Sequence, residues 1–168
     1  MLGHVPGVGA GQDHPQVMKG WHTIYTSSDA RSPFTKDSTR DQLLAKFREL
    51  VDLHKDENLS VTLVGHILDA CLATLSVFDI IENGLSKVGD QLEFPVCAVV
   101  FGSPQVGDAA FVARLGRLPN LRVLHVRNEI DHIPQYPRGV LGYVSVDEQL
   151  VVDIKKSPYL NYSKNPSD

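Results

Sequence analysis

At 168 residues, with 42% hydrophobic and 21% charged residues, the chain has the makeup of one globular domain with a sizeable core rather than of a disordered segment. A net charge of -4 without a basic stripe excludes the electrostatic footprint of a nucleic-acid binder, and no apolar run reaches the ~18 residues needed to cross a bilayer, so neither nucleic acid nor a transmembrane segment is expected. The N-terminus lacks the charged and apolar regions of a secretory signal, and Cys71 and Cys97 lie in apolar segments that suit reduced thiols, so the expected location is cytoplasmic.

Residues 1–16 are rich in Gly, Pro and His without an apolar period and read as an irregular N-terminal segment. His4 and His14 have no partner at a metal-ligand spacing and read as loop residues; no metal or cofactor is expected. Residues 17–25 gather Trp21, Ile24 and Tyr25 into an apolar patch that fits a short strand or the start of a helix. After a loop over 27–35 comes a helix-start signal, with Asp37 or Ser38 as cap and Asp41 in the first turn. Leu43, Leu44, Phe47, Leu50, Val51 and His54 then make an apolar stripe for a sheet, with His54 at its edge. Arg40, Lys46, Arg48, Glu49 and Asp52 are expected to face water.

Residues 61–64 are short, apolar and β-branched, as in a strand covered on both faces. A helix apolar almost all round follows over 69–83 and stops at Gly84. Residues 94–101 form a second covered strand ending in the turn Gly102-Ser103-Pro104, 108–115 a short helix and 121–126 a third strand. Residues 141–146 and 150–154 read as an antiparallel pair across Asp147-Glu148, and the tail from Lys155 is polar. Alternating strands and helices predict an α/β fold with a mostly parallel sheet and helices on both faces. Reacting groups in such sheets stand at the carboxyl ends of strands, here 65–69, 102–107 and 127–137.

The run from Ser60 to Leu75 has the strand-turn-helix frame of the nucleophile elbow of serine acyl hydrolases, in which Gly-x-Ser-x-Gly holds a serine above a sheet. Its pentapeptide is Gly65-His66-Ile67-Leu68-Asp69, without the serine and the second glycine. A β-branched residue tolerates the elbow's backbone poorly, so the turn is expected to relax around Ile67. Any acid that orients a catalytic histidine belongs in the loop 127–137, after the strand next but one to the elbow.

These blocks resemble a known family. Lys19-Gly20-Trp21, Ile24-Tyr25-Thr26-Ser27, Ser32-Pro33-Phe34, the strand into Gly65-His66, Ala70 with Leu72-Ala73, Phe101-Gly102-Ser103-Pro104 with Val106-Gly107, and Arg127-Asn128 with Asp131, Ile133-Pro134 and Pro137 are similar, in order, to the class 3 lipases, most closely their plant phospholipase A(1) group. The resemblance covers residues 16–168 and implies an α/β-hydrolase fold truncated at both ends, an irregular segment 1–16 preceding a partial domain 17–168. It implies hydrolysis of the sn-1 acyl ester of glycerolipids by a Ser-His-Asp triad. Asp131 matches the triad acid, Ile67 occupies the nucleophile position, and the backbone N–H of Leu68 matches one oxyanion donor. The family's histidine lies downstream of the segment like Asn165-Pro166-Ser167-Asp168, and its second oxyanion donor upstream of Met1, so neither is expected here.

Isoleucine offers no nucleophile, and loss of one triad member costs on the order of a million-fold in turnover. The chain is therefore expected to be catalytically inactive, with a lipid-binding or regulatory module as the alternative. Ser103 is expected to bond turn backbone, Cys71 to be a core thiol, and His66 and His132 to be wall residues. A glycerolipid or acyl ester in a cleft at the strand carboxyl ends is the expected ligand, with association through exposed sheet edges.

Overall fold

The computed structural model describes residues 2–4, 15–89, 93–137, 142–146 and 148–159. His14 and the segment 165–168 lie outside them. Two four-stranded sheets organise the described residues. The larger is wholly parallel, in the order β3 (Val61–His66), β4 (Val96–Phe101), β6 (Leu121–Asn128) and β8 (Gln149–Val152). The smaller is antiparallel and made of short strands: β1 (Leu2–His4), β2 (Gln16–Met18), β5 (Gly107–Asp108) and β7 (Tyr143–Val144).

Side-chain caps start two of the described α-helices. α1 (Lys19–Thr26) continues directly from β2, so the patch 17–25 is a strand first and a helix after. Ser38 caps α2 (Thr39–Leu53): its Oγ accepts from Asp41 N at 3.1 Å and donates to Asp41 Oδ2 at 2.7 Å. Along α2, Leu44 and Phe47 are buried, whereas Leu50 is exposed and His54 sits outside, its Nδ1 2.8 Å from Glu57 Oε1. α3 (Leu68–Glu82) is buried almost all round and ends at Gly84, where Gly84 N–H donates to Ile81 O and Leu85 N–H to Ile80 O. Asp108 caps α4 (Ala109–Arg117) through Phe111 N at 2.8 Å.

Several expectations change. The segment 1–16 is not irregular throughout, because Leu2–His4 pairs antiparallel with Gln16–Met18. The two strands after residue 141 do not form a hairpin: Tyr143–Val144 joins Gly107–Asp108, and Gln149–Val152 runs parallel beside β6. Main-chain bonds to these distant partners, such as His125 N–H to Glu148 O at 2.9 Å, prevail over the local turn. Arg40 turns only partly to water. Its Nε lies 2.6 Å and its NH2 3.0 Å from the two carboxylate oxygens of Asp79, buried within α3, which also accepts from Tyr25 OH at 3.0 Å and Asn83 Nδ2 at 2.6 Å.

The core lies on one side of the parallel sheet. Val96, Ala98 and Val100 of β4 and Leu121, Val123 and His125 of β6 are in register and buried beneath α3 and its neighbours, with Phe78 tilted against Phe111, their ring centroids 4.9 Å apart. The alternate residues point the other way, and among the described residues no helix covers them. Val64 is 66% exposed, and its register partners run through Val99 to Leu124; beside that row lies another of His66, Phe101, Val126 and Leu150. The strand 61–64, expected to be covered on both faces, is thus covered on one. No helix of the described residues is long and apolar enough to cross a membrane.

Candidate active site at the strand carboxyl ends

The turn between β3 and α3 keeps the sharp form of an elbow. Ile67 has φ 53° and ψ -108°, so the expected relaxation does not occur. The surrounding backbone explains why. Ile67 N–H donates to Phe101 O at 3.0 Å, extending the β3–β4 ladder, while Ile67 O accepts from Cys71 N at 3.4 Å and begins α3. Gly65 lets the helix close over the strand, for a Cβ there would stand 2.4 Å from Asp69 O. Ile67 is the one link between these fixed pieces and takes the strain, about 1–3 kcal/mol for a residue so placed.

The substituted glycine position is accommodated more simply. Asp69 lies in the first turn of α3 with its side chain exposed, where a carboxylate interacts favourably with the helix dipole. Leu68 is the first residue of α3, and amides in a helix's first turn have no intrahelical acceptor.

β4 ends beside this turn at Gly102, and β6 ends in the loop that carries Asp131. Asp131 Oδ1 accepts from Ile133 N at 2.9 Å, and its own N–H donates to Asn128 O at 3.1 Å. Gly102 has φ 57°; a Cβ on it would lie 3.5 Å from Asp131 Oδ2 and 4.0 Å from His66 Nε2. The bare α-carbon of Gly102 is therefore the floor over which Asp131 and His66 converge. The strand ends bring Ile67, Leu68, His66, Gly102 and Asp131 to one edge of the sheet, and the acid-bearing loop follows the strand next but one to the elbow. His132 is exposed.

Beneath this edge the groups are closed in. Ser103 is buried, its Oγ donating to Pro104 O at 3.0 Å, a turn bond as expected. Cys71 is fully buried with Sγ 3.6 Å from Ile67 O and 4.0 Å from Ser103 Oγ, and burial pushes its thiol up to about 12, so it is a neutral core group and not a nucleophile. His125, overlooked in the sequence, is buried in β6 with Nε2 accepting from Ser103 N at 3.0 Å. Its signal is the alternation of Leu121, Val123 and His125, which places the imidazole on the covered face. Burial first, and Arg127 second, hold its pKa below the usual histidine value.

An apolar cavity of about 630 Å³ lies elsewhere. Leu43, Phe47 and Leu50 of α2 line it with Val61 and Leu63 at the start of β3, at the opposite end of the strand from the elbow.

Comparison with known proteins agrees with this arrangement. The family Lipase (class 3) matches residues 4–140. Phospholipase A1-II 5 of Oryza sativa subsp. indica is 56% identical over 158 residues, covering 94% of this chain and 34% of that protein. Phospholipase A1-IIdelta of Arabidopsis thaliana is 50% identical over 153 residues, covering 91% and 36%. The chain thus spans about a third of the length of these curated relatives. In fold it is similar to the triacylglyceride lipase of Rhizomucor miehei, with a TM-score of 0.66 at 18% identity over 92% of this chain and 50% of that one. Lipase II of Rhizopus niveus superposes with a TM-score of 0.62 at 16% identity over 90% and 49%. A parallel sheet entering a sharp elbow, the family match across most of the chain and relatives at half identity lead to one assignment: the chain has an α/β-hydrolase fold and belongs to the class 3 lipases, in their plant phospholipase A1-like group.

Proposed function

We propose that this chain is a phospholipase A1-like domain that engages glycerolipid at the carboxyl ends of its parallel strands without hydrolysing it. The reaction that goes with the family is hydrolysis of the sn-1 acyl ester, through a serine acyl-enzyme formed with a histidine base held by an aspartate. One observation carries the reading. Ile67 stands at the apex of an elbow that retains φ 53°, so a hydrocarbon occupies the place where the chemistry needs a hydroxyl. It has neither a lone pair to attack a carbonyl nor a proton for a base to take. On this reading Asp131 corresponds to the triad acid and Leu68 N–H to one oxyanion donor, which can polarise an ester carbonyl but cannot form the acyl-enzyme.

Phosphatidylcholine vesicles with a labelled sn-1 acyl chain test this directly. The purified chain is expected to release fatty acid no faster than buffer does, and release that Asp131→Ala abolishes would overturn the proposal.

A second observation favours retained contact with lipid. Phe101, Ile130, Ile133 and Tyr136, each between 40% and 53% exposed, sit at the end of β4 and in the loop around Asp131, where apolar surface suits acyl chains. Vesicles are expected to slow hydrogen exchange across 65–70 and 130–136; unchanged exchange at saturating lipid would rule out the binding role. We also assign the chain to the cytoplasm on its two free thiols, Cys71 and Cys97, and a fluorescent fusion found in the secretory pathway would contradict that.

A further inference from the structure

His125 is fully buried, 1% exposed, on the helix-covered face of β6 between Val100 and Gln149. Its ring Nε2 lies 3.0 Å from the backbone N of Ser103. An N–H donates only to a ring nitrogen with a lone pair, so Nε2 carries no hydrogen, and the ring is the neutral tautomer with its proton on Nδ1. An imidazolium would set two donors against each other and leave the amide of a buried serine without its acceptor.

That amide belongs to a turn the site depends on. Ser103 follows Gly102, whose open α-carbon lies under Asp131 Oδ2 and His66 Nε2. It precedes Pro104, whose carbonyl accepts from Ser103 Oγ and lies 3.9 Å from Cys71 Sγ. We propose that His125 is an acid-sensitive latch: its neutral ring holds the turn 102–104 in place, and its protonation releases that turn and the floor beneath Asp131.

Among the described residues, the surroundings leave the charged ring without compensation. Arg127, on the same strand, is the charge acting on it and opposes protonation. α3 presents the neutral thiol of Cys71 on the other side of Ser103, and β8 presents uncharged Gln149, with Glu148 contributing its backbone carbonyl. α4 turns Arg114 and Arg117 to solvent. The folded ring therefore titrates below the ordinary value of about 6.5, which the unfolded chain keeps. Between the two values the unfolded state binds more protons. The stabilisation is complete above the unfolded value and is lost as pH falls through it towards the folded one.

Amide exchange in the whole chain tests the latch. The protection factor of Ser103, corrected for the intrinsic rate, is expected to fall by up to about tenfold per pH unit as pH drops below the ordinary histidine value of about 6.5 towards the lower folded one, while Ala98 in the middle of β4 stays protected. A long-range proton–nitrogen spectrum at pH 7.5 should find Nε2 of His125 unprotonated. His125→Gln, whose side-chain oxygen can accept from Ser103 but cannot titrate, should hold the Ser103 protection constant from pH 7.5 to 5. PH-independent protection of Ser103 in the unaltered chain, the same fall in the glutamine variant, or a protonated Nε2 at pH 7.5 would each overturn the proposal. Should the variant fail to fold, the tautomer and the Ser103 profile of the unaltered chain decide it.

Discussion

Ile67 holds a backbone conformation that glycine adopts freely and a β-branched residue adopts at a cost. Its neighbours leave no cheaper alternative: relaxing φ would break the bond to Phe101 O or lift α3 off Gly65. Ile67→Gly should therefore stabilise the fold by about 1 kcal/mol, strain relief outweighing the loss of a half-buried side chain. Urea denaturation measures this, and a lower midpoint would mean that the side chain contributes more than the backbone costs. Gly65→Ala should do the opposite, losing about 3 kcal/mol in the same assay, because the clash is with the rigid backbone of Asp69 rather than with a side chain. The sequence already shows isoleucine at position 67, where the Gly-x-Ser-x-Gly elbow motif has serine. The preserved elbow angle was not legible there, because intrinsic preference argued for relaxation and only the surrounding bonds oppose it.

Between elements, the decisive group is Asp79. It lies inside α3 and is met by Arg40 from α2, Tyr25 from α1 and Asn83 at the end of its own helix, so one carboxylate ties three helices. A buried charge that loses its partner is destabilising. Arg40→Ala should lower stability by about 2 kcal/mol in thermal or urea unfolding, less than a fully buried pair because Arg40 reaches solvent and Tyr25 and Asn83 remain. The Tyr25 phenol is pushed well above its ordinary range, by burial first and by Asp79 second. The unfolded chain releases that proton near pH 10 while the folded one retains it, so stability is full below that pH and falls as pH rises through it. Absorbance at 295 nm should show one tyrosine ionising only with unfolding; titration of every tyrosine in the folded state would contradict this. Periodicity placed Arg40 outside α2 because it registers apolar residues and ignores an arginine that faces a buried carboxylate on another helix.

At the scale of the whole molecule, helices cover one face of the parallel sheet, and apolar residues of β3, β4, β6 and β8 are displayed on the other. An apolar sheet face of this kind promotes association. Sedimentation should show concentration-dependent oligomers, and Val64→Lys with Leu124→Lys should shift them towards monomer; a monomer at all concentrations would contradict the expectation. By itself the sequence determined the strands β3, β4 and β6, the helices α2, α3 and α4, the elbow's position, a cap at Asp37 or Ser38, the stop at Gly84 and the loop that carries Asp131. Each follows from a local period, a cap or a glycine within a few residues. Only the tertiary structure decided that Tyr143–Val144 and Gln149–Val152 enter different sheets, that Arg40 turns inward, that His125 accepts from Ser103 and that Ile67 keeps its strained angle. Each of these depends on what a residue meets across the fold, and no local pattern encodes such a partner.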